Sequence, residues 1–182
     1  MKNVVDYFIR YRSFVGILSL IAVLYFAKPD QLSITIGFFL ILTGTFFRAW
    51  ASGYINKNQN LAKHGPYSLT KNPLYFGNFI LGLGIAIAGN TIHTYLIFFI
   101  YYLIFFPALM IIEQNRLRKL FKDEYDNWAK GMNDFFPKIK KPLKGQGFNI
   151  SLYVKNKEYR VLYFSLLAIG ILILKYLKLI RY

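Results

Sequence analysis

Long apolar runs dominate the pattern of hydrophobic and polar positions along the chain. Five of them approach or reach the roughly 20 mostly apolar residues that a membrane-spanning helix needs. They are 13–27, Gln31–Ser52, Pro73–Gly89, 91–112 and 161–174. The pair Gly89-Asn90 is a turn signal that joins the third and fourth runs into a helical hairpin. The pattern predicts an all-α integral membrane protein with about five transmembrane helices.

The composition supports this class and excludes several others. The 182 residues are 55% hydrophobic and only 17% charged, whereas a soluble domain carries about 25% charged residues. The net charge of +15 is typical of the basic loops of membrane proteins. Because no basic stripe lies on a soluble domain, we predict no nucleic-acid partner. The membrane lipid bilayer is the predicted surrounding.

The sequence also excludes thiol chemistry and a helical zinc motif. The chain has no cysteine, so disulfides, thiolate metal sites and a cysteine nucleophile are impossible. Its two histidines, His64 and His93, are too far apart for a helical zinc motif. We therefore predict no metal site.

The distribution of Lys and Arg predicts the orientation in the membrane. Basic residues precede the first run, and more of them lie in the loop after the second run and throughout 113–160. All of these share one side if the N-terminus is cytoplasmic, in a cell inner membrane or an endomembrane. The cations of the C-terminal run depart from this pattern, because they would lie outside; they are Lys175, Lys178 and Arg181.

The region 113–137 mixes charge with helical periodicity. Its apolar residues recur at steps of three and four, which predicts one apolar helix face; they are Leu117, Leu120, Phe121, Tyr125 and Trp128. Pro137 is expected to end this helix, which would lie on the cytoplasmic membrane surface. We predict a membrane core over 1–137, a basic cytoplasmic linker over 138–160 and a transmembrane or interfacial helix over 161–182.

The loop after the second run is a candidate for chemistry. Residues 59–77 read QNLAKHGPYSLTKNPLYFG and contain two turn-forming pairs, Gly65-Pro66 and Asn72-Pro73. Tyr67 and Tyr75 lie beside these turns. An interfacial belt of aromatic residues is an alternative explanation for the two tyrosines.

Glu113 is a second candidate, at the end of the fourth run. Carboxylates at membrane depth are costly and often functional, although a solvated helix end is an alternative explanation for this one. If the third and fourth runs form a hairpin, their ends meet. Residues 72–75 and Glu113 would then lie on one rim although they are distant in sequence.

Together these residues resemble the motifs of the isoprenylcysteine carboxyl methyltransferase family and its bacterial and phospholipid-methyltransferase relatives. The first family motif runs His-x-Leu-Val, Gly-x-Tyr and Arg-His-Pro-x-Tyr-x-Gly. Its counterpart here keeps the spacing and is Gln59-Asn60-Leu61-Ala62, Gly65-Pro66-Tyr67 and Lys71-Asn72-Pro73-Leu74-Tyr75-Phe76-Gly77. The second runs Glu-Glu-x-x-Leu, Phe-Gly-x-x-Tyr-x-x-Tyr and Pro, and its counterpart is Glu113-Gln114, Leu117, Phe121-Lys122, Tyr125, Trp128 and Pro137. The resemblance covers about half of the chain.

The resemblance implies an integral membrane enzyme that transfers a methyl group from S-adenosyl-L-methionine to a lipophilic or prenylated small molecule, most simply at a carboxylate. It implies that the active site faces the cytoplasm under a capping helix, and that Asn72 and Glu113 are catalytic. Glu113 would receive the ammonium of the methionine moiety. The remaining implied cofactor-binding residues are Gln59, Asn60, Leu61, Ala62, Tyr67, Asn72, Pro73, Leu74 and Tyr75.

Departures from the family motifs keep two alternatives open. The family's Arg-His pair is Lys71-Asn72 here, which keeps the positive charge but loses the bidentate guanidinium and the titratable imidazole. The second Glu is Gln114. A non-catalytic family member would tolerate these changes. A membrane sterol reductase that uses NADPH shares a similar first motif, although the Phe121, Tyr125 and Trp128 ending favours the methyltransferase. The residues indicate neither the acceptor nor the oligomeric state.

Overall fold

The computed structural model describes residues 2–143, 145 and 147–179, with side chains described from Arg10 onward. Within this part of the chain all regular secondary structure is helical, which confirms the all-α class. The helices are α1 (Lys2–Phe26), α2 (Gln31–Ser52), α3 (Pro73–Gly89), α4 (Ile92–Phe121), α5 (Asp123–Ala129), α6 (Ile150–Lys155) and α7 (Tyr159–Tyr176). A 3₁₀ turn, Gly65–Ser68, lies between α2 and α3.

Three helices in the described residues are long and apolar enough to cross a membrane, namely α2, α4 and α7. This number is lower than the five predicted. Helix α3 is apolar but has only 17 residues, because Pro73 starts it and a left-handed Asn90 (φ 53°) stops it. The predicted C-terminal helix ends at Tyr176, and residues 180–182 lie outside the described residues.

Local signals in the sequence fix the starts of the long helices. Asp30 caps α2, since its Oδ1 accepts a hydrogen bond from the Ser33 backbone N–H at 2.7 Å. Thr91 caps α4 in the same way, accepting from the Thr94 backbone N–H at 3.3 Å. Both caps are reciprocal capping boxes. The bounds predicted for the second and third runs coincide with α2 and α3.

Helices α2 and α3 pack closely through facing glycines. Gly37 and Gly44 of α2 lie against Gly84 and Gly77 of α3, where a Cβ atom would meet backbone of the opposite helix. Small residues at such positions allow two helices in a membrane to approach closely. This contact brings the end of α2 next to the start of α3, where the candidate site lies.

Replacing Gly44 with alanine is expected to lower the free energy of unfolding by about 1–3 kcal/mol, the usual cost of overpacking. The added Cβ would lie 2.5 Å from the backbone nitrogen of Leu81, so α2 and α3 must separate. Gly170→Ala is the matched control, because nothing lies within 4 Å of its added Cβ. Thermal unfolding in detergent measures both, and equal losses would contradict the close contact.

Helix α4 is longer than predicted, and the helix predicted over 113–137 is shorter. Helix α4 continues through Glu113 to Phe121, where Lys122 (φ 47°) separates it from α5. The prediction that Pro137 ends a helix is wrong, because α5 ends at Ala129 and Gly131 (φ 72°) turns the chain away. Residues 132–143 form no helix and make long-range hydrogen bonds with the loop before α3.

Residues 130–143, the covering segment, lie along the loop between α2 and α3. The Lys71 N–H donates to the Asn133 carbonyl at 3.0 Å, and the Lys138 N–H donates to the Leu69 carbonyl at 2.9 Å. Leu143 donates its N–H to Ser68 Oγ at 2.9 Å. Part of the predicted linker thus packs against the loop that carries the first motif. The division of the chain into core, linker and C-terminal helix stays a prediction.

Candidate functional site

The two sequence motifs meet on the carboxylate of Asp134. Its Oδ1 accepts hydrogen bonds from Lys71 Nζ at 3.1 Å and from Gln114 Nε2 at 3.0 Å. Lys71 belongs to the loop before α3, and Gln114 belongs to α4 beside Glu113. The covering segment therefore joins both motifs at one end of the helical bundle.

A second bridge joins Glu113 to the start of the first motif. Arg116 approaches Glu113 at 3.4 Å through Nη1 and donates from Nη2 to Asn58 Oδ1 at 2.5 Å. Beside it, Leu61 is buried in an apolar cluster with Tyr125 and Ala129 of α5. Polar and apolar contacts thus hold the loop against the end of α4.

Asn72 fastens the covering segment to the start of α3. Its side chain is buried, and its Nδ2 donates to the Asp134 carbonyl at 2.8 Å. The next residue of the covering segment, Phe135, inserts its ring among aromatic side chains of α3 and α4. The ring centroid lies 5.6 Å from those of Phe76 and Phe79 and 6.1 Å from that of Tyr102. This insertion closes the bundle next to the Asn72 turn.

Tyr67 lies in the 3₁₀ turn with its side chain buried. Burial raises the pKa of Tyr67 far above its ordinary value, so the phenol is neutral. The positive charge of Arg48 opposes this effect, and the negative charges of Glu113 and Glu158 add to it. Its hydroxyl makes no hydrogen bond to any residue that the structure describes. Tyr67 is therefore a neutral phenol whose pKa is affected by three charged side chains.

The ion pair of Arg48 with Glu158 was not predicted. Arg48 Nε lies 2.6 Å from Glu158 Oε1, and the two side chains are only 13% and 8% exposed. The pair joins the end of α2 to the residue before α7. A signal for it exists in the sequence, because Arg48 is the single charged residue in the apolar run Gln31–Ser52 and such residues are often functional.

The other predicted cofactor-binding residues differ in accessibility. Gln59 and Asn60 lie on the surface, where Gln59 Oε1 accepts a hydrogen bond from Asn56 Nδ2 at 2.6 Å. Pro73 is buried at the start of α3. Three residues are partly buried, namely Ala62, Leu74 and Tyr75. The fold brings all of these to the same end of the bundle as Glu113, and their roles stay predictions.

A family comparison identifies the class of this arrangement. The family model described as "Phospholipid methyltransferase" matches residues 11–124, well over half of the chain. The chain belongs to the phospholipid methyltransferase family. The matched range contains the loop 59–77 and Glu113, so both candidate regions lie inside it. It ends before Tyr125, and α6 and α7 lie beyond it.

Two curated relatives are similar to the chain. It is 30% identical over 108 residues to the nickel-cobalt-cadmium resistance protein NccN of Alcaligenes xylosoxydans xylosoxydans, covering 58% of this chain and 50% of that protein. It is 29% identical over 112 residues to the cobalt-zinc-cadmium resistance protein CzcN of Cupriavidus metallidurans, covering 60% and 51%. The chain thus spans about half the length of these relatives. No solved structure matches it.

Family membership and the apolar helices together define the general class. Phospholipid methyltransferase family members are membrane methyltransferases, for which S-adenosylmethionine is the usual methyl donor. The three long apolar helices agree with an integral membrane protein in contact with the lipid bilayer. Among the described residues, no group of three or more His, Asp or Glu side chains is arranged to hold a metal ion.

Proposed function

We propose that this family member transfers a methyl group from S-adenosyl-L-methionine to a lipophilic acceptor, most simply a carboxylate, at a site facing the cytoplasm. The observation that supports this most directly is the convergence of the two motifs on Asp134, which receives Lys71 and Gln114. Tyr67 and Glu113, the proposed contacts for the cofactor, lie beside that junction.

The polar groups at this end of the bundle suit an adenosyl ligand. The Glu113 side chain is 39% exposed, so its carboxylate is accessible to an ammonium group. Two buried atoms make no hydrogen bond within the described residues, the acceptor Asn56 Oδ1 and the donor Trp128 Nε1. Unpaired buried polar atoms are rare and need an explanation. In the proposal these two groups become accessible and pair with the nucleoside when it binds.

For methyl transfer, the side chains of the site must align the methyl donor with the acceptor and exclude water. When bound, S-adenosylmethionine supplies an electrophilic methyl group on a sulfonium. A carboxylate acceptor needs no general base, so Asn72 in place of the family's imidazole is compatible with transfer. In the proposal Asn72 positions the covering segment through its bond to the Asp134 carbonyl. Phe135 keeps water from the apolar side of the site, which strengthens electrostatic interactions there.

Arg48 is the proposed partner for an anionic acceptor. Only its Nε is engaged by Glu158, while a guanidinium has five N–H donors in a planar fork that suits a carboxylate. Its positive charge lowers the pKa of Tyr67, one of the proposed cofactor residues. This arrangement favours an acid over an amine as acceptor.

Calorimetric titration of the purified chain with S-adenosylhomocysteine tests the proposal. We expect saturable binding. In a separate assay with S-adenosyl-L-methionine that carries a radiolabelled methyl group, we expect the label to enter a lipid-extractable fraction. NADPH binding without S-adenosylhomocysteine binding would replace the proposal with the reductase alternative. No binding of either would support a non-catalytic family member. Label confined to water-soluble products would contradict a lipophilic acceptor.

Replacing Tyr67 with phenylalanine is expected to weaken S-adenosylhomocysteine binding about two- to tenfold, the effect of one lost hydrogen bond. The melting temperature of the ligand-free protein should not fall, because the hydroxyl has no partner in the described residues. Tyr101→Phe is the matched control, since its hydroxyl donates to the Arg12 carbonyl at 3.3 Å. That variant should melt earlier and bind normally, and the reverse pattern would contradict the assignment.

A further inference from the structure

A cleft opens at the end of the bundle opposite the proposed methyl-transfer site. It has a volume of about 760 Å³ and lies between the end of α1, the start of α4 and the end of α7. Its lining combines cationic, aromatic and small residues; they include Tyr25, Phe26, Lys28, His93, Lys175 and Lys178. This cleft has no part in the proposed transfer.

The lining carries positive charge without an acidic residue. Three of its side chains are lysines, and none is Asp or Glu. The positive end of the α4 dipole lies at the same place and adds to this charge. Asp30 lies at the same end of the bundle, but its carboxylate accepts hydrogen bonds from the Ser33 backbone and from Asn90. An anion is the ligand that such a lining suits.

Hydrogen bonds and ring contacts hold the cleft in shape. Lys175 Nζ donates to the carbonyls of Leu24 and Tyr25 at 2.9 and 2.6 Å, which ties α7 to the end of α1. The Lys28 N–H donates to the Gly89 carbonyl at 2.8 Å. The ring of His93 stacks on Phe26 with centroids 4.9 Å apart. These contacts fix the backbone of the helix ends and of Lys28 around the cleft.

The surroundings of the cleft are apolar. Ile92 in the lining is 66% exposed, and next to the cleft Ile21 of α1 and Leu96 of α4 are 57% and 51% exposed. Exposed apolar side chains of this kind suit contact with acyl chains. The cleft and its surroundings therefore suit a ligand with an anionic head and an apolar tail.

We propose that this cleft binds the phosphate headgroup of an anionic glycerophospholipid, with Lys28 and Lys178 as its principal cationic contacts. The proposal also gives a role to Lys175 and Lys178, which in the predicted orientation lie on the side where few basic residues are expected. Lys175 and Lys178 serve a headgroup there, so their position does not contradict the predicted orientation. The inference is independent of methyl transfer.

The test compares lipids on the full chain purified in a neutral detergent. Short-chain phosphatidylglycerol is expected to raise the melting temperature in a saturable way, and phosphatidylcholine with the same chains is not. The double variant Lys28→Gln/Lys178→Gln should bind phosphatidylglycerol about twenty-five-fold more weakly, since each lysine near a lipid surface contributes roughly fivefold. The single variant Lys28→Gln should bind phosphatidylglycerol about fivefold more weakly. This variant tests the proposal if the double variant does not fold.

Matched controls distinguish specific lipid binding in the cleft from a nonspecific effect of the protein's net charge. Lys140→Gln/Lys141→Gln removes two exposed lysines at the other end of the bundle and should leave the lipid response unchanged. Equal losses in the two double variants, or an equal response to both lipids, would overturn the proposal. If sn-glycerol 3-phosphate at the same concentration raised the melting temperature equally, the ligand would be a free phosphate ester, and the assignment of a lipid would be wrong. S-adenosylhomocysteine binding should be the same in the Lys28→Gln/Lys178→Gln variant, so a failed methyltransferase proposal would not affect this result.

Discussion

Replacing Glu113 with glutamine is expected to weaken S-adenosylhomocysteine binding about tenfold to a hundredfold, because a hydrogen bond to a charged group contributes about 1.5–3 kcal/mol. The ligand's ammonium would lose its anionic partner while the side-chain shape stays the same. Folding should be unaffected, since within the described residues the ion pair of Glu113 is with Arg116, at 3.4 Å in the same helix. Such exposed pairs contribute little to stability. Isothermal titration calorimetry measures the affinity.

Asp126→Asn is the matched control for this change. Asp126 is also a carboxylate at this end of the bundle, 53% exposed and paired with Arg118 at 2.7 Å. We expect this variant to bind S-adenosylhomocysteine like the unchanged protein. A similar loss in both variants would indicate a general effect of charge, and an unchanged affinity in Glu113→Gln would remove Glu113 from the proposed site.

Replacing Arg48 with leucine is expected to lower the free energy of unfolding by about 3–5 kcal/mol, the cost of breaking a buried ion pair from one side. The reason is that Glu158, only 8% exposed, keeps a buried charge without its partner. Equilibrium unfolding in mixed micelles measures the change. Arg118→Leu removes an exposed guanidinium, 56% accessible, and should cost less than about 1 kcal/mol.

A double variant tests the physical reason for this loss. If the isolated Glu158 charge causes it, Arg48→Leu/Glu158→Leu should be more stable than Arg48→Leu alone, since two apolar groups replace the pair. Independent sites would instead give losses that add. Additive losses would contradict the ion pair as the source of stability.

Helices α2 and α3 have the bounds that we predicted. In the structure Asp30 caps the start of α2, and Pro73 and Asn90 mark the two ends of α3. The end of α4 was missed. The sequence becomes polar at Glu113, and the end of the apolar run predicts the end of a helix there. Glu, Gln, Arg, Leu and Lys all favour helices, so α4 simply continues.

The sequence predicts candidate residues that lie within motifs of fixed spacing, and it does not predict the distant residues that contact them. Tyr67 and Glu113 follow from motifs with fixed spacing. The covering segment does not, because Asp134 and Phe135 owe their positions to contacts with residues about sixty positions away, and such contacts leave no periodic pattern. Arg48 is marked in the sequence as a single charge in an apolar run, but nothing in the sequence identifies Glu158 as its partner.

The length of α4 bears on whether each reactant of the proposed transfer reaches the site from water or from the hydrocarbon layer of the membrane. Its 30 residues span about 45 Å at about 1.5 Å per residue, while the hydrocarbon layer is about 30 Å thick. If α4 crosses this layer from its first residue, its last ten or so residues, including Glu113, extend into the headgroup region or water. In the proposed transfer a hydrophilic nucleoside would then reach that carboxylate without entering the hydrocarbon layer, and a lipophilic acceptor would reach the same boundary by lateral diffusion within its leaflet.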